Sequence, residues 1–333
     1  VRSGWRAPET GGVPILTLAH LSDLHATEVS PSGVLPLLGK RGLGFLSWHL
    51  RRRRAHRAEV LEALLRDLEQ SRPDHVVVTG DLTNVSLPEE FVAARGWLTR
   101  LGSPDRVTAV PGNHDAYVRI EEARSIALWS EYLVSDPGGQ DLLLEVCALE
   151  KTEAIGFPSV RLLAGVALVG LCSALPTPLF HATGEIGEAQ LARLEAVLAE
   201  LGARGYLRVV LVHHPPAPGS VSARRALRDG EALCAVLRRC GAELVLHGHL
   251  HRTRVDALQG PAWPIPVVGG RSASHGGGGA DRLARYHLFG IGGRAAAPRI
   301  VMREREYDPQ AGAFREVGPP EGVVLAQVGS HPG

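Results

Sequence analysis

Short apolar, β-branched runs that stop abruptly on Asp, His or Asn recur along this chain and constrain its fold more than any other feature. Residues 15–21 run into Ser22-Asp23-Leu24-His25, residues 75–79 into Gly80-Asp81, and residues 106–110 into Pro111-Gly112-Asn113-His114-Asp115. Residues 207–212 run into His213-His214, and residues 243–246 into His247-Gly248-His249-Leu250-His251. Runs of this length read as strands buried on both faces. Between them, residues 58–69, 88–101, 188–201 and 229–240 place apolar side chains at helical spacing. Strand alternating with helix predicts an α/β fold with a parallel sheet. After His251 the helices stop. Residues 252–258, 265–269, 283–291 and 299–306 read as strands joined by Gly and Pro turns. A second, largely antiparallel sheet is therefore expected to stack on the first. Residues 14–317 are expected to form one domain with an insertion at 34–57, and the Gly/Pro-rich stretch 318–333 an extended tail.

The polar residues at the strand ends carry the chemistry. In α/β sheets ligands bind beyond the carboxyl ends of the strands, so all of these segments are expected to converge on one crevice. Imidazole, carboxylate and amide together suit manganese, iron or zinc. The cluster offers more ligands than one ion needs, so two divalent ions are expected, with manganese or iron favoured. Asp81 is the natural bridge, Asp23, His25 and His251 complete one site, and Asn113, His213 and His249 complete the other. The Asp-x-His and His-x-His spacings suit a chain still close to extended, swinging alternate side chains toward adjacent ions. Two such ions less two carboxylates leave a positive site suited to an anion.

These motifs, in this order, resemble the calcineurin-like metallophosphoesterase superfamily, whose pattern is D-x-H, G-D, G-N-H-D/E, a strand-end His and G-H-x-H. The resemblance spans residues 15–290 and implies a four-layer α/β/β/α sandwich of two stacked mixed sheets. It further implies in-line attack on phosphorus by a metal-bridging hydroxide, with His114 contacting the phosphate or protonating the leaving oxygen and Asp115 orienting His114. Asn113, His114 and His214 would meet the substrate. Of the pair His213-His214, the resemblance gives the first to the metal and places the second behind it or on the rim. Within the superfamily the sequence looks most like the bacterial class III phosphodiesterases, which act on cyclic nucleotides and glycerophosphodiesters. The alternatives are a pyrophosphatase acting on a lipid-linked nucleotide such as UDP-2,3-diacylglucosamine, and a scaffold that has lost catalysis.

Other histidines read as structural. His20 is expected to pack inside the first strand and His247 to be structural. His49, His56 and His75 are expected at the surface or at caps, and His181 and His275 in loops that could face the crevice. Arg271 reads as a surface arginine. The insertion mixes Lys40, Arg41, residues 51–54 and Arg57 with Leu35, Leu37, Leu38, Leu43, Phe45, Leu46, Trp48 and Leu50. It reads either as a basic helix packed on the core or as a peripheral contact with an anionic membrane, such as the inner membrane face.

Composition sets the remaining bounds. A hydrophobic fraction of 44% and a charged fraction of 21% belong to a globular protein. A net charge of +1 gives no argument for nucleic acid, so a small phosphoester or nucleotide-type substrate is the expected partner. Cys147, Cys172, Cys234 and Cys240 have no CxxC spacing and read as buried free thiols. Residues 1–13 lack the pattern of a secretory signal, which predicts a cytoplasmic location.

Overall fold

The computed structural model of the chain describes residues 16–327 except 32, 34–36, 148–155, 218, 278 and 280–281. The first sheet has the strand order β12-β11-β10-β1-β2-β3, and the second β4-β5-β6-β7-β9-β8. In the first half of the chain these are β1 (Leu16–Leu21), β2 (His75–Val78), β3 (Val107–Ala109), β4 (Ser159–Leu163), β5 (Val166–Gly170) and β6 (Leu207–Leu211). Then follow β7 (Leu244–His247), β8 (Arg254–Leu258), β9 (Ile265–Gly269), β10 (Arg285–Arg294), β11 (Ala297–Asp308), β12 (Ala313–Val317) and β13 (Val323–Gln327). The helices are α1 (Lys40–Ser47), α2 (Arg53–Ala55), α3 (Ala58–Ser71), α4 (Pro88–Leu101), α5 (Ser130–Leu133), α6 (Pro137–Cys147), α7 (Glu188–Ala203) and α8 (Gly230–Cys240).

Each apolar run divides its side chains between two cores, which is why the runs are continuous and not alternating. Leu16 and Leu18 of β1 and Val77 of β2 face Val209, Leu211, Leu244 and Leu246 of the second sheet in a core between the sheets. Ala19, Leu21, Val76 and Val78 point the other way, onto Val60 and Leu64 of α3 and Phe91 and Leu98 of α4. Val210 and Val245 likewise face α7 and α8 through Leu194, Leu198, Leu233 and Leu237. Helix, sheet, sheet, helix is the resulting layer order. Both sheets are mixed, as the four-layer architecture requires.

The strands after His251 do not build a sheet of their own. β9 runs parallel to β7 in the second sheet, while β10 pairs antiparallel with β1 in the first. The open side of β1 explains this: β2 covers one edge, and the long β10 closes the other. The expected tail is also partly ordered, since β13 pairs with β11 from Arg299 to Met302. His75 is buried and hydrogen-bonded to Thr108 Oγ1 at 2.7 Å, not at the surface. Arg271 is paired with Glu306 at 3.3 Å and is only 14% exposed. His20 is buried against Thr79 Oγ1 (2.9 Å), as expected. Cys147, Cys172, Cys234 and Cys240 are all free, but only Cys234 is buried; the others are partly exposed. Among the described residues, no helix is long and apolar enough to cross a membrane.

Candidate metal centre

The strand ends meet at one edge of the two sheets through backbone hydrogen bonds. Asp23 N donates to the Gly80 carbonyl (3.0 Å), His25 N to the Asp81 carbonyl (2.9 Å) and Gly248 N to the His213 carbonyl (3.0 Å). The chain here is not extended, as the motif spacing suggested. Asp23, His25, Asp81, His249 and His251 all lie in the left-handed region, with φ between 41° and 70°. Such conformations cost energy for residues other than glycine and collect at functional sites. They turn successive strand-end side chains inward, which an extended chain would send to opposite faces.

Two donor groups result. One ligand atom from each of Asp23, His25, Asp81 and His251 lies within 4.8 Å of the others. Beside them, Asn113 Oδ1 stands 3.1 Å from His213 Nε2 and 2.8 Å from His249 Nδ1, with Asp81 Oδ2 3.4 Å from the same His213 nitrogen.

The tautomers show that this set fits a cation. His25 Nδ1 donates to the Thr83 carbonyl (3.1 Å), His213 Nδ1 to Thr79 (2.7 Å) and His249 Nε2 to Arg225 (3.0 Å). Each ring is thereby fixed by a carbonyl, and in its neutral form the other nitrogen presents a lone pair to the centre. Those lone pairs face the Asn113 and Asp81 oxygens, an arrangement that a metal or a proton between them satisfies. Asp23 Oδ1 is likewise buried, facing His251 Nε2 at 3.1 Å.

The charges agree. Burial alone would lower the His213 pKa, but Asp81 and Asp23 raise it to about 9, so an imidazolium takes the place of a cation. Burial would raise Asp23, yet His251, His213 and His25 hold it well below the usual carboxylate range. His249 is pushed well down by burial and by His214 and His213.

A cleft of about 390 Å³ opens onto the centre, lined by Asp81, Asn113, His114, His249, His251 and Ser272, and by Arg225, Arg252, Arg282 and His275. The donor sets, the strand-end motifs and the two-sheet architecture coincide with a known pattern: residues 16–253 match the family model for calcineurin-like phosphoesterase. The chain belongs to the calcineurin-like phosphoesterase family.

Among curated relatives, a cAMP/cGMP dual specificity phosphodiesterase of Mycobacterium tuberculosis is 30% identical over 57% of this chain and 53% of its own length. The chain thus spans about half of that relative. The glycerophosphodiester phosphodiesterase GpdQ of Enterobacter lignolyticus is 29% identical over 71% of each chain. In fold, the chain is similar to a dimetal phosphatase from Danio rerio, with a TM-score of 0.56 and 13% identity over 95% of this chain and all of that one.

Within this calcineurin-like site, two expectations need correction. Asp115 does not orient His114. Its Oδ2 accepts from Gly112 N and Asp81 N (both 2.9 Å) and its Oδ1 from Thr83 N (2.9 Å) and Thr83 Oγ1 (3.1 Å), so both oxygens clamp the loops that carry the ligands. The His114 ring is held by the Asn84 carbonyl, to which Nδ1 donates at 2.5 Å, and stacks on Tyr117. Burial, and then Asp81, raise the Asp115 pKa to about 7. His214 is fully buried, not on a rim. Its ring contacts Ser173 Oγ (2.8 Å) and the Ala182 carbonyl (3.2 Å), which leaves it no nitrogen for a substrate.

Several contributors escaped the sequence reading. Ser272 Oγ donates to the Asp23 carbonyl at 2.7 Å, and His56 lies against His25 and His251 instead of at the surface. Thr79, Thr83 and Arg225 act through backbone carbonyls, which no side-chain motif reveals.

Proposed function

We propose that this chain is a metal-dependent phosphodiesterase with two ions, bridged by Asp81, acting on small diesters of the cyclic nucleotide or glycerophosphodiester type. The observation that carries this reading is the Asp23, His25, Asp81 and His251 group beside the Asn113 contacts to His213 and His249, with Asp81 Oδ2 reaching His213, in a chain whose similar relatives are named as phosphodiesterases. Asp23, His25, Asp81 and His251 would hold one ion, and Asp81, Asn113, His213 and His249 the other, with manganese or iron favoured. A metal pair there supplies Lewis acidity, lowering the pKa of water and neutralising charge on the phosphoryl oxygens.

The chain's own residues do the rest. His114 lines the cleft, and with Nδ1 committed to Asn84 its Nε2 is the nitrogen able to pass a proton to a departing alkoxide. Asn113 fixes the phosphoryl group beside it, and Arg225, Arg252 and Arg282 give the mouth a positive field that favours anions. Asp115 keeps Asp81 in its left-handed conformation. The test is a panel of cyclic nucleotides, glycerophosphodiesters, a phosphomonoester and a nucleotide-diphosphate lipid analogue, assayed after reconstitution with manganese or iron. Preference for the monoester or the pyrophosphate would overturn the diester reading.

The segment beside the cleft supports a peripheral lipid contact in one part only. Residues 34–36, and with them Leu35, lie outside the described residues. Trp48 is buried with Val29, Val85 and Leu87 and belongs to the core. Leu38, Leu43, Leu46 and Leu50 are exposed, at 68%, 49%, 52% and 62%, close to the exposed Arg53 and Arg54. Replacing Leu43, Leu46 and Leu50 together with Ser should weaken binding to anionic vesicles and leave hydrolysis of water-soluble diesters unchanged. Equal vesicle binding by variant and wild type would remove the membrane reading.

A further inference from the structure

His25, His56 and His251 form a third donor group, one nitrogen of each lying within 4.8 Å of the other two. His56 is placed deliberately. Its Nδ1 meets Ser274 Oγ at 2.8 Å, and its ring centroid lies 4.5 Å from that of His25 and 6.0 Å from that of His251. Backbone contacts fix the segment it ends: a β-bridge joins His56 to His275, Arg57 N donates to the Ser274 carbonyl (3.0 Å) and Gly276 N to the Ala55 carbonyl (2.8 Å).

This group shares His25 and His251 with the first metal site but replaces Asp23 and Asp81 with one imidazole. The sharing makes the two seats exclusive, because with His25 Nδ1 committed to Thr83 the same Nε2 would have to serve both seats. They also differ in chemistry. Two carboxylates and two imidazoles suit a hard ion such as manganese, while three imidazoles with an open fourth position suit zinc.

We infer that His25, His56 and His251 are an alternative seat for a borderline-soft divalent ion, zinc above all, which holds that ion away from Asp81 and leaves the dimetal centre one ion short. The inference rests on the two-ion reading above. It makes the centre selective by competition: manganese takes the bridged position, and zinc is drawn to the three histidines.

Equilibrium dialysis of metal-stripped wild type and His56→Gln against Mn²⁺ and against Zn²⁺ tests this, with the visible spectrum of bound Co²⁺ reporting coordination. One of the zinc binding steps should weaken by more than about 100-fold in the variant, beyond the roughly 10- to 100-fold that loss of a ligand's hydrogen-bond partner costs. Manganese binding should not change. The intense absorption of four-coordinate Co²⁺ should fade in parallel. Ser274→Ala, which removes the nearer of the two hydroxyls at His56 Nδ1 and leaves Ser272 Oγ at 3.4 Å, should shift zinc in the same direction by about 10-fold, and it serves if His56→Gln folds poorly. Unchanged zinc binding in these variants, or manganese weakened as much as zinc, would overturn the proposal. Wild type that binds fewer than two Mn²⁺ would overturn the two-ion reading instead, and the zinc comparison would still decide the role of His56.

Discussion

An alanine at position 248 would put its methyl group 1.9 Å from Ser22 Oγ, 2.7 Å from Asp23 Oδ2 and 3.0 Å from the Thr79 carbonyl. Ser22 is fully buried, and its hydroxyl donates to Asp23 Oδ2 at 2.6 Å. To clear the methyl it must turn away from that carboxylate. A hydrogen bond to a charged group contributes about 1.5–3 kcal/mol, and overpacking a dense site costs roughly 1–3 kcal/mol more. Gly248→Ala should therefore lose about 3–5 kcal/mol of stability, measured by urea unfolding in the presence of a chelator so that bound metal adds nothing. Calorimetric titration with Mn²⁺ should also show weaker binding, since Asp23 is pushed out of place. The origin of the loss can be isolated. Ser22→Ala removes the nearest clashing atom, so the double variant should be more stable than the two single losses combined would allow. Strict additivity, or a Gly248→Ala protein within about 0.5 kcal/mol of wild type, would mean that this junction is not packed as described and that Asp23 does not depend on it.

Asp81→Ala would remove the ligand proposed for both ions and should abolish metal binding and activity together; variant protein retaining two tightly bound ions by elemental analysis would exclude the bridge. His114→Ala should keep its metal while turnover falls about 100- to 10,000-fold on alkyl diesters. The loss should be smaller on aryl diesters, whose leaving groups need no proton, so equal losses on both would exclude the acid role. Burial, and then Arg161 and Arg106, hold the His75 pKa near 3 against an ordinary 6.5. The unfolded chain therefore takes up this proton first. The stability that neutral His75 contributes is complete above pH 6.5 and is lost toward pH 3, by up to about 1.4 kcal/mol per unit. His75→Gln should flatten the acid limb of the stability profile, and an unaltered limb would show that His75 is not what sets it.

The proposed metal ligands could be picked out because chemistry of this kind needs particular side chains directly after strands, and Asp23, His25, Asp81, Asn113, His213, His249 and His251 lie close together at the strand ends. What stayed hidden has a common physical origin. Asp115 looked like the partner of its neighbour His114, but sequence adjacency does not say which way a carboxylate turns, and three backbone amides converge on it. His56 sits among arginines in sequence and resembled a surface residue; pairing with the distant segment Ser274 to Gly276 brings it to the centre. His75 has a polar name in an apolar run, and one hydroxyl, Thr108 Oγ1, makes its burial tolerable. The later strands were recognised as strands, but their partners were not. Pairing is decided by which edge lies open, and that information is spread over the whole chain.

The way β10 closes β1 bears on how this protein can be cut. The family match ends at residue 253, a natural place to stop a recombinant fragment, yet β10 begins at Arg285. A fragment ending there would leave the backbone groups of β1 from Leu16 to His20 without the strand that now pairs with them, beside the very residues that lead into Asp23. It would also lack Ser272, whose hydroxyl holds the Asp23 carbonyl. A bare apolar strand edge recruits other chains, so such a fragment should aggregate, and its failure to hydrolyse anything would say nothing about the catalytic residues it still contains.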